Sequence, residues 1–425
     1  MSIILYRLFI WLYKWGAVCL SPFNKKARFW LAGRKNVFQH LQVFAESHAG
    51  KTIWFHCASL GEFEQGRPLL ETIKTSYPGY KIVLTFFSPS GYEIRKNYEG
   101  ADCVIYLPAD SASHARKLHQ LIEPALVIWI KYDYWYFYLR EIKKNNTPLL
   151  LISGIFREGQ LFFKWYGNLH REMLSCFTGF FVQNDESKTL LGTLGFSENV
   201  TISGDTRFDR VIEIAEQFQP IPIVETFING APLVVAGSTW EEDEEELDHF
   251  ANTHPEIKFI IAPHEIDEEH LNDIEQLFHH TVRYSNLTGN RQNETGSKTP
   301  AANVLIIDNI GMLARLYKYA TIAYIGGGFG ADGIHNILEA AVYGKPVVFG
   351  PVYEKYAEAQ ELIDNGGAFD IENSLELEET LKVLLENEPG YKAACEASRQ
   401  YVYAKKGATE KILKHIQENR LLTNW

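Results

Sequence analysis

From residue 51 onward the chain alternates short, near-continuous apolar runs with longer stretches whose apolar positions recur every three or four residues. "TIWFHC" (52–57), "KIVLTFF" (81–87), "DCVIYLP" (102–108), "LVIWI" (126–130), "PLLLIS" (148–153) and "GFFVQN" (179–184) lack the in/out alternation of a half-exposed strand. Such runs predict parallel strands covered on both faces, with "FEQGRPLLETIKTSY" and "SASHARKLHQLIE" as crossover helices between them. A second set follows: "LVVAGS" (233–238), "KFIIAP" (258–263), "NVLIID" (303–308), "TIAYIGGG" (321–328) and "KPVVFGP" (345–351), separated by helical stretches such as "DEEELDHFANTH" and "MLARLYKYA". The expectation is an α/β chain of two tandem, doubly wound Rossmann-like domains with a cleft between them. The domains are expected at 49–210 and 231–390, joined by a Pro-containing linker at 211–230 and followed by helices at 391–425 that could pack back on the first domain. The polar, turn-rich stretch 285–303 is expected to be a mobile surface loop.

Residues 1–48 break the pattern. The first 22 are aromatic and apolar but carry Arg7 and Lys14, seven apart and so on one helix face. Residues 1–45 contain no Asp or Glu, while Arg7, Lys14, Lys25, Lys26, Arg28, Arg34 and Lys35 give a local formal charge of +7. A cleaved leader would need an uninterrupted apolar core. The reading is a membrane-surface helix or short span held by Trp and Tyr at the headgroups and by cations against anionic lipid; its rival is a first helix packed on its own domain. The rest of the protein is acidic, since the whole chain of 425 residues carries a net charge of −12. That balance disfavours general nucleic-acid binding. Five scattered cysteines form no CxxC pair, so neither a disulfide framework nor a zinc site is indicated. Cys57 could be a nucleophile, but a small buried thiol at a strand end is the simpler reading.

The candidate chemistry lies where strands end. Glu62 follows "TIWFHC" at the start of a helical pattern, which makes it either a helix-start acid or a catalytic carboxylate at the ligand-binding edge of an open sheet. "IKYDYWYFYLR" places Lys131 and Asp133 after another strand, and "GIFREGQ" adds Arg157; these suit a phosphorylated sugar, with a structural Lys131–Asp133 ion pair as the alternative. Arg207 in "SGDTRFDR" could reach an anionic donor. In the second domain, Gly326, Gly327 and Gly328 end a strand where missing side chains would let a ligand approach backbone. A helix is expected from about His335 and Asn336, its N–H groups cradling a phosphate, with Glu339 one turn on. Ser238 and Thr239 form a hydroxyl-bearing turn before an acidic run read as a solvated helix start. Pro263 with His264, and Gly311 with Met312, end two further strands. No GxGxxG fingerprint follows the first strand of either domain, which argues against a dinucleotide enzyme.

Four segments together closely resemble the Kdo (3-deoxy-D-manno-octulosonic acid) transferase family. They are "ASLGEFEQGRPLL" for its S-[LV]-G-E motif, "SGDTRFD", "AGSTWEEDEE" and the long "GIHNILEAAVYGKPVVFGP". The resemblance implies a GT-B glycosyltransferase with CMP-Kdo as donor and a lipid A precursor as acceptor, inverting and without a dissociable metal or cofactor, on the cytoplasmic side of the inner membrane. It implies Glu62 as base and Gly311, Met312, Asn336 and Glu339 in the CMP-binding loops. Two segments depart from the pattern. "KYDYW" stands where the family often has E-x-E-L-W, with Lys131 replacing the first acid and Asp133 shorter than the second, and "APHE" stands for P-R-H. A GT-B transferase using a UDP-sugar, or a UDP-sugar 2-epimerase, is the alternative.

Overall fold

The computed structural model describes residues 2–48, 50–288 and 302–423. It divides into two compact units, residues 1–210 with 407–425, and residues 211–406. Each is built around a seven-stranded sheet whose pairings are all parallel.

In unit 1 the strands are β1 (Thr52–Cys57), β2 (Lys81–Phe86), β3 (Cys103–Tyr106), β4 (Pro124–Ile130), β5 (Leu149–Gly154), β6 (Gly179–Val182) and β7 (Val200–Ile202), in the order β3-β2-β1-β4-β5-β6-β7. Successive residues of a strand face opposite sides, so both faces of this sheet become cores. Trp54, Val83, Val127, Trp129, Leu149, Leu151 and Phe180 build one core, capped by Leu41 and Phe44 of the helix Val37–Ser47. Ile53, Phe55, Leu84, Ile128, Leu150 and Phe181 build the other, against Phe63, Leu69 and Ile73 of the helix Leu60–Ser76. Burying both faces is what the continuous apolar runs encode. The chain order reverses between β1 and β4, so the loops after Cys57 and Ile130 flank the ligand-binding crevice of such a sheet.

Unit 2 contains β8 (Leu233–Thr239), β9 (Lys258–Pro263), β10 (Thr281–Arg283), β11 (Val304–Ile306), β12 (Ile322–Ile325), β13 (Val347–Phe349) and β14 (Ala368–Asp370), ordered β10-β11-β9-β8-β12-β13-β14. Its reversal lies between β8 and β12. Three strands, β7, β10 and β14, have no apolar run in the sequence, and each forms a sheet edge. An edge strand pairs on one side only and can be short and half-polar, as "VTI", "TVR" and "AFD" are.

Several boundaries differ from expectation. Residues 211–230 are no extended linker: the helix Thr206–Glu216 runs through their start, Pro222–Ile228 forms another helix, and all of them belong to unit 2. Pro222 is tolerated because it opens its helix, where its missing N–H costs nothing. The C-terminal helices also divide. Glu388–Ala404 stays in unit 2, and only residues 407–425 return to unit 1, after a turn in which Gly407 takes φ +107°. There Ile412 and Ile416 of the helix Ala408–Glu418 join the second core. Most of the stretch 285–303 lies outside the described residues.

The helix Ile3–Leu20 is long and apolar enough to cross a membrane by length and composition. Tyr6 is its only fully buried residue, while Leu8, Trp11, Leu12, Trp15 and Leu20 are exposed. It is therefore docked on unit 1 without being absorbed into it. Tyr6 donates to Asp110 Oδ2 and accepts from the Tyr136 backbone N–H at 3.1 Å. Burial pushes the Asp110 carboxyl up to about 6, although Tyr6 and the Phe137 and Tyr138 N–H groups oppose the shift. Tyr6→Phe is expected to cost about 1–3 kcal/mol, because it strips a donor from a buried carboxylate and an acceptor from a buried amide. Urea unfolding followed by tryptophan fluorescence measures this, and an unchanged midpoint would mean the hydroxyl holds nothing.

Candidate active site

In unit 1 the turn after β1 delivers Glu62 to the crevice. Ser59 is the N-cap of the helix Leu60–Ser76 and Glu62 its third residue, and the Ser59 N–H donates to Glu62 Oε2 at 2.9 Å. This is half of a capping box, so the helix-start role read from the sequence is real. It does not exhaust the residue. Glu62 is only 8% exposed, and burial pushes its carboxyl up to about 7, reinforced by the Asp133 carboxylate and opposed by the Ser59 and Ala58 N–H groups and Lys131. A cap needs no such environment, whereas a proton acceptor working near neutrality does.

The turn after β4 supplies the neighbours. Lys131 has φ +60°, a left-handed conformation costly for a residue with a Cβ and held here between β4 and the turn that follows. With its amide oxygen turned toward two cations, Gln65 accepts from Lys131 Nζ at 2.9 Å and Arg207 Nε at 3.2 Å. Arg207 also bonds Asp205 Oδ2 at 2.8 Å. Arg207, expected on the donor side, is thus grouped within unit 1 with Gln65 and Lys131. Asp133 accepts from Trp135 Nε1 at 3.3 Å and lies 3.9 Å from His56 Nε2, whose ring is fully buried and held below its usual value by desolvation. Arg157 is exposed and acts electrostatically on Tyr132. The structure therefore gathers Glu62, Lys131 and Asp133 at the β1/β4 reversal. Gln65 was missed; the one signal the sequence offered was its spacing of one helical turn beyond Glu62, and its burial is a property of the fold. Cys57 is buried, and burial drives its thiol far above the usual range, as the simpler reading of a small structural thiol expects.

In unit 2, Ser238 and Pro263 lie at the carboxyl ends of β8 and β9, and His264, Gly311, Met312, Gly327, Gly328, Asn336 and Glu339 follow the carboxyl ends of parallel strands, so all nine share one sheet edge. Their local roles differ from expectation in three respects. First, the acidic run is not wholly solvated, because Asp243 and Glu244 are buried. Asp243 accepts from Gly327 N (2.7 Å), Trp240 N (2.9 Å) and the Tyr324 hydroxyl (2.9 Å). Glu244 bonds His270 Nε2 at 2.9 Å and accepts from Thr239 Oγ1 at 2.7 Å, so the Thr239 hydroxyl is spent internally. Secondly, the space beside the glycines is filled by other backbone. A Cβ on Gly326 would fall 2.3 Å from Ser238 O, and one on Gly328 2.5 Å from Gly350 N, while Gly327 needs φ +90°. Thirdly, the expected helix spans only Leu338–Ala341. Asn336 Nδ2 donates to Glu339 Oε1 at 3.1 Å, which ties these two side chains to each other.

One grouping was not anticipated. Trp240 stacks on His264 with centroids 4.7 Å apart, and His264 on His335 at 4.4 Å. Trp240 Nε1 donates to His335 Nε2 at 3.3 Å, and burial together with His264 lowers His335 to about 4, so it is neutral near pH 7. Rings from the ends of β8, β9 and β12 meet here because parallel strands end on one edge; three distant sequence segments give no local sign of it. Among the described residues, no group of three His, Cys, Asp or Glu side chains is placed to hold a metal ion.

Residues 34–210 match the family model described as 3-deoxy-D-manno-octulosonic-acid transferase (kdotransferase). The chain is 28% identical to a bifunctional glycosyltransferase/methyltransferase of Fusobacterium nucleatum over 90% of its own length, and it spans 57% of that protein. It is 26% identical to a 3-deoxy-D-manno-octulosonic acid transferase of Aquifex aeolicus, over 78% of this chain and 86% of that one. Among solved structures, UDP-GlcNAc 2-epimerase from Neisseria meningitidis bound to UDP-GlcNAc superposes with a TM-score of 0.60 at 15% identity, covering 87% of this chain and 100% of that one. A glycosyltransferase from Rickettsia africae gives a TM-score of 0.54 at 16% identity, over 89% and 100%. These structural likenesses concern the fold, which is the GT-B class of two Rossmann-like domains.

Proposed function

We propose that this chain, whose residues 34–210 match the Kdo transferase family model, is a glycosyltransferase that moves Kdo from CMP-Kdo to a lipid A precursor (lipid IVA) by inverting single displacement. The observation that carries the chemistry is the buried Glu62 carboxyl, held at about 7 beside Lys131. Glu62 takes the proton from the acceptor's primary hydroxyl. The hydroxyl oxygen forms its bond to the anomeric ketose carbon as the bond from that carbon to the CMP phosphate oxygen breaks, and CMP leaves with both electrons. Lys131, Asp133 and Arg157 are the proposed acceptor contacts, with Arg207 available to an anionic group. Ser238, His264, Gly311, Met312, Asn336 and Glu339 are the proposed donor contacts. The exposed apolar helix Ile3–Leu20 and the basic residues after it suit an enzyme working on the cytoplasmic side of the inner membrane, where a lipid acceptor resides.

A mass-resolved transfer assay tests this, with purified protein, CMP-Kdo generated in situ, a tetraacylated lipid A precursor and a parallel panel of UDP-sugars. Product heavier by one or more Kdo masses supports the reading. Turnover of a UDP-sugar alone would replace it with the alternative donor class. The pH profile of kcat/KM gives a second check, since activity is expected to rise with pH through an inflection near 7. Asp133→Asn removes a like charge and is expected to move that inflection down, while Lys131→Met removes an opposite charge and should move it up. Profiles that do not move in these directions would detach the inflection from Glu62.

A further inference from the structure

Beside the N-terminal helix lies a cavity of about 600 Å³ lined by Lys14, Arg28, Arg34, Lys35 and His114, with Val18 and Leu31 on its apolar wall. No Asp or Glu lines it. Lys14, Arg28 and Lys35 make no ion pair among the described residues. Arg34 is the built part of the site. Its guanidinium donates to Leu107 O (2.8 Å), Trp30 O (3.0 Å) and Phe87 O (2.7 Å) and sits 4.0 Å from the Trp30 ring centroid. Three carbonyls and an aromatic face fix its orientation without neutralising it, and burial pushes it down to about 9, which still leaves it charged at neutral pH. A fixed cation among three more, in a pocket without acids, has unsatisfied demand for an anion.

The volume is that of a small-molecule site. Its position selects the anion, because Lys14 and Val18 belong to the helix Ile3–Leu20 and lie on the same side of it as the exposed Trp11 and Trp15. A membrane taking up that face sets the cavity at headgroup depth, where arginine and lysine meet phosphate. We propose that this cavity binds the phosphate headgroup of an anionic membrane phospholipid, a defined site as opposed to diffuse adsorption. It rests on the reading of the Ile3–Leu20 helix as lying against lipid, and is independent of which sugar is transferred.

The test is co-sedimentation of the full chain with phosphatidylglycerol and with phosphatidylcholine vesicles. Two double variants are compared: Arg28→Gln with Lys35→Gln, inside the cavity, and Lys25→Gln with Lys26→Gln, on the same segment but outside its lining. Both lose two charges, so diffuse attraction falls equally. The cavity variant is expected to lose about tenfold more affinity for phosphatidylglycerol than the control variant, with no difference between them on phosphatidylcholine. Equal losses would overturn the proposal. So would failure of millimolar inorganic phosphate to release the wild-type protein from phosphatidylglycerol vesicles any better than chloride at equal ionic strength, since a phosphate-selective cavity that holds the protein on lipid must be open to competition by phosphate. Binding to phosphatidylcholine reports the helix separately: wild type that binds both vesicles equally overturns the cavity alone, and wild type that binds neither overturns both readings.

Discussion

Glu62→Gln is expected to lower turnover by about 10²–10⁴-fold while leaving the protein as stable as wild type or more so at pH 8. Loss of rate is expected from removing the proposed proton acceptor, since an amide cannot take up the hydroxyl proton. The stability expectation follows from linkage. An acid whose folded value lies above its unfolded value binds more protons when folded, so stability falls as pH rises through the interval between them. For Glu62 that interval runs from the ordinary 4.5 to about 7, so at pH 8 the ionised side chain costs on the order of 3 kcal/mol, a cost the neutral amide escapes. Gln also keeps the acceptor that the Ser59 N–H needs. Transfer assays and thermal melts at pH 5 and pH 8 check both halves. The variant's advantage should be present at pH 8 and gone at pH 5. Normal turnover would remove Glu62 from the chemistry, and a variant that melts far below wild type at pH 8 would mean that the carboxylate is a structural anchor.

Asp243→Ala is expected to destabilise unit 2 by several kcal/mol, on the order of 3–5, because three donors lose one buried acceptor group. Two of them, the Gly327 and Trp240 N–H groups, converge on the same oxygen. Asp243→Asn should be far milder, since its amide oxygen can take both N–H bonds and its NH₂ can face the Tyr324 hydroxyl as donor. The pair also differs in pH response. Burial holds the Asp243 carboxyl above its usual range, so its contribution weakens as pH rises through that shifted range, whereas asparagine does not titrate. Urea unfolding of the two variants measures this. Equal midpoints for Ala and Asn would show that the hydrogen bonds to Gly327 and Trp240 do not hold the glycine loop.

The two acids show why parts of the site were legible and others hidden. Glu62 could be found because its signal is local: a strand pattern, a small-residue turn and a helix pattern meet within ten residues, and the sheet edge where they meet is the edge that binds ligands. Asp243 sits in an acidic run of the kind that ordinarily covers a solvated helix start, and its chemistry depends on Gly327 and Tyr324, more than eighty residues away. The stack of Trp240, His264 and His335 has the same origin. Likewise Gly326 and Gly328 announced a close approach, but the sequence could not tell whether the approaching atoms would be ligand or backbone.

Two parallel α/β units, nearly all their buried strands, an apolar first helix with basic residues after it, and the resemblance to Kdo transferases were legible in the chain, because each of these is written in periodicity, composition or contiguous motif. The short edge strands, the point at residue 407 where the C-terminal helices rejoin the first unit, the assignment of Arg207 to the Gln65 and Lys131 group, and the burial that raises Glu62 emerged with the fold. Each of those depends on desolvation or pairing between segments far apart in the chain, and a side chain's protonation and partners are set by what surrounds it in space.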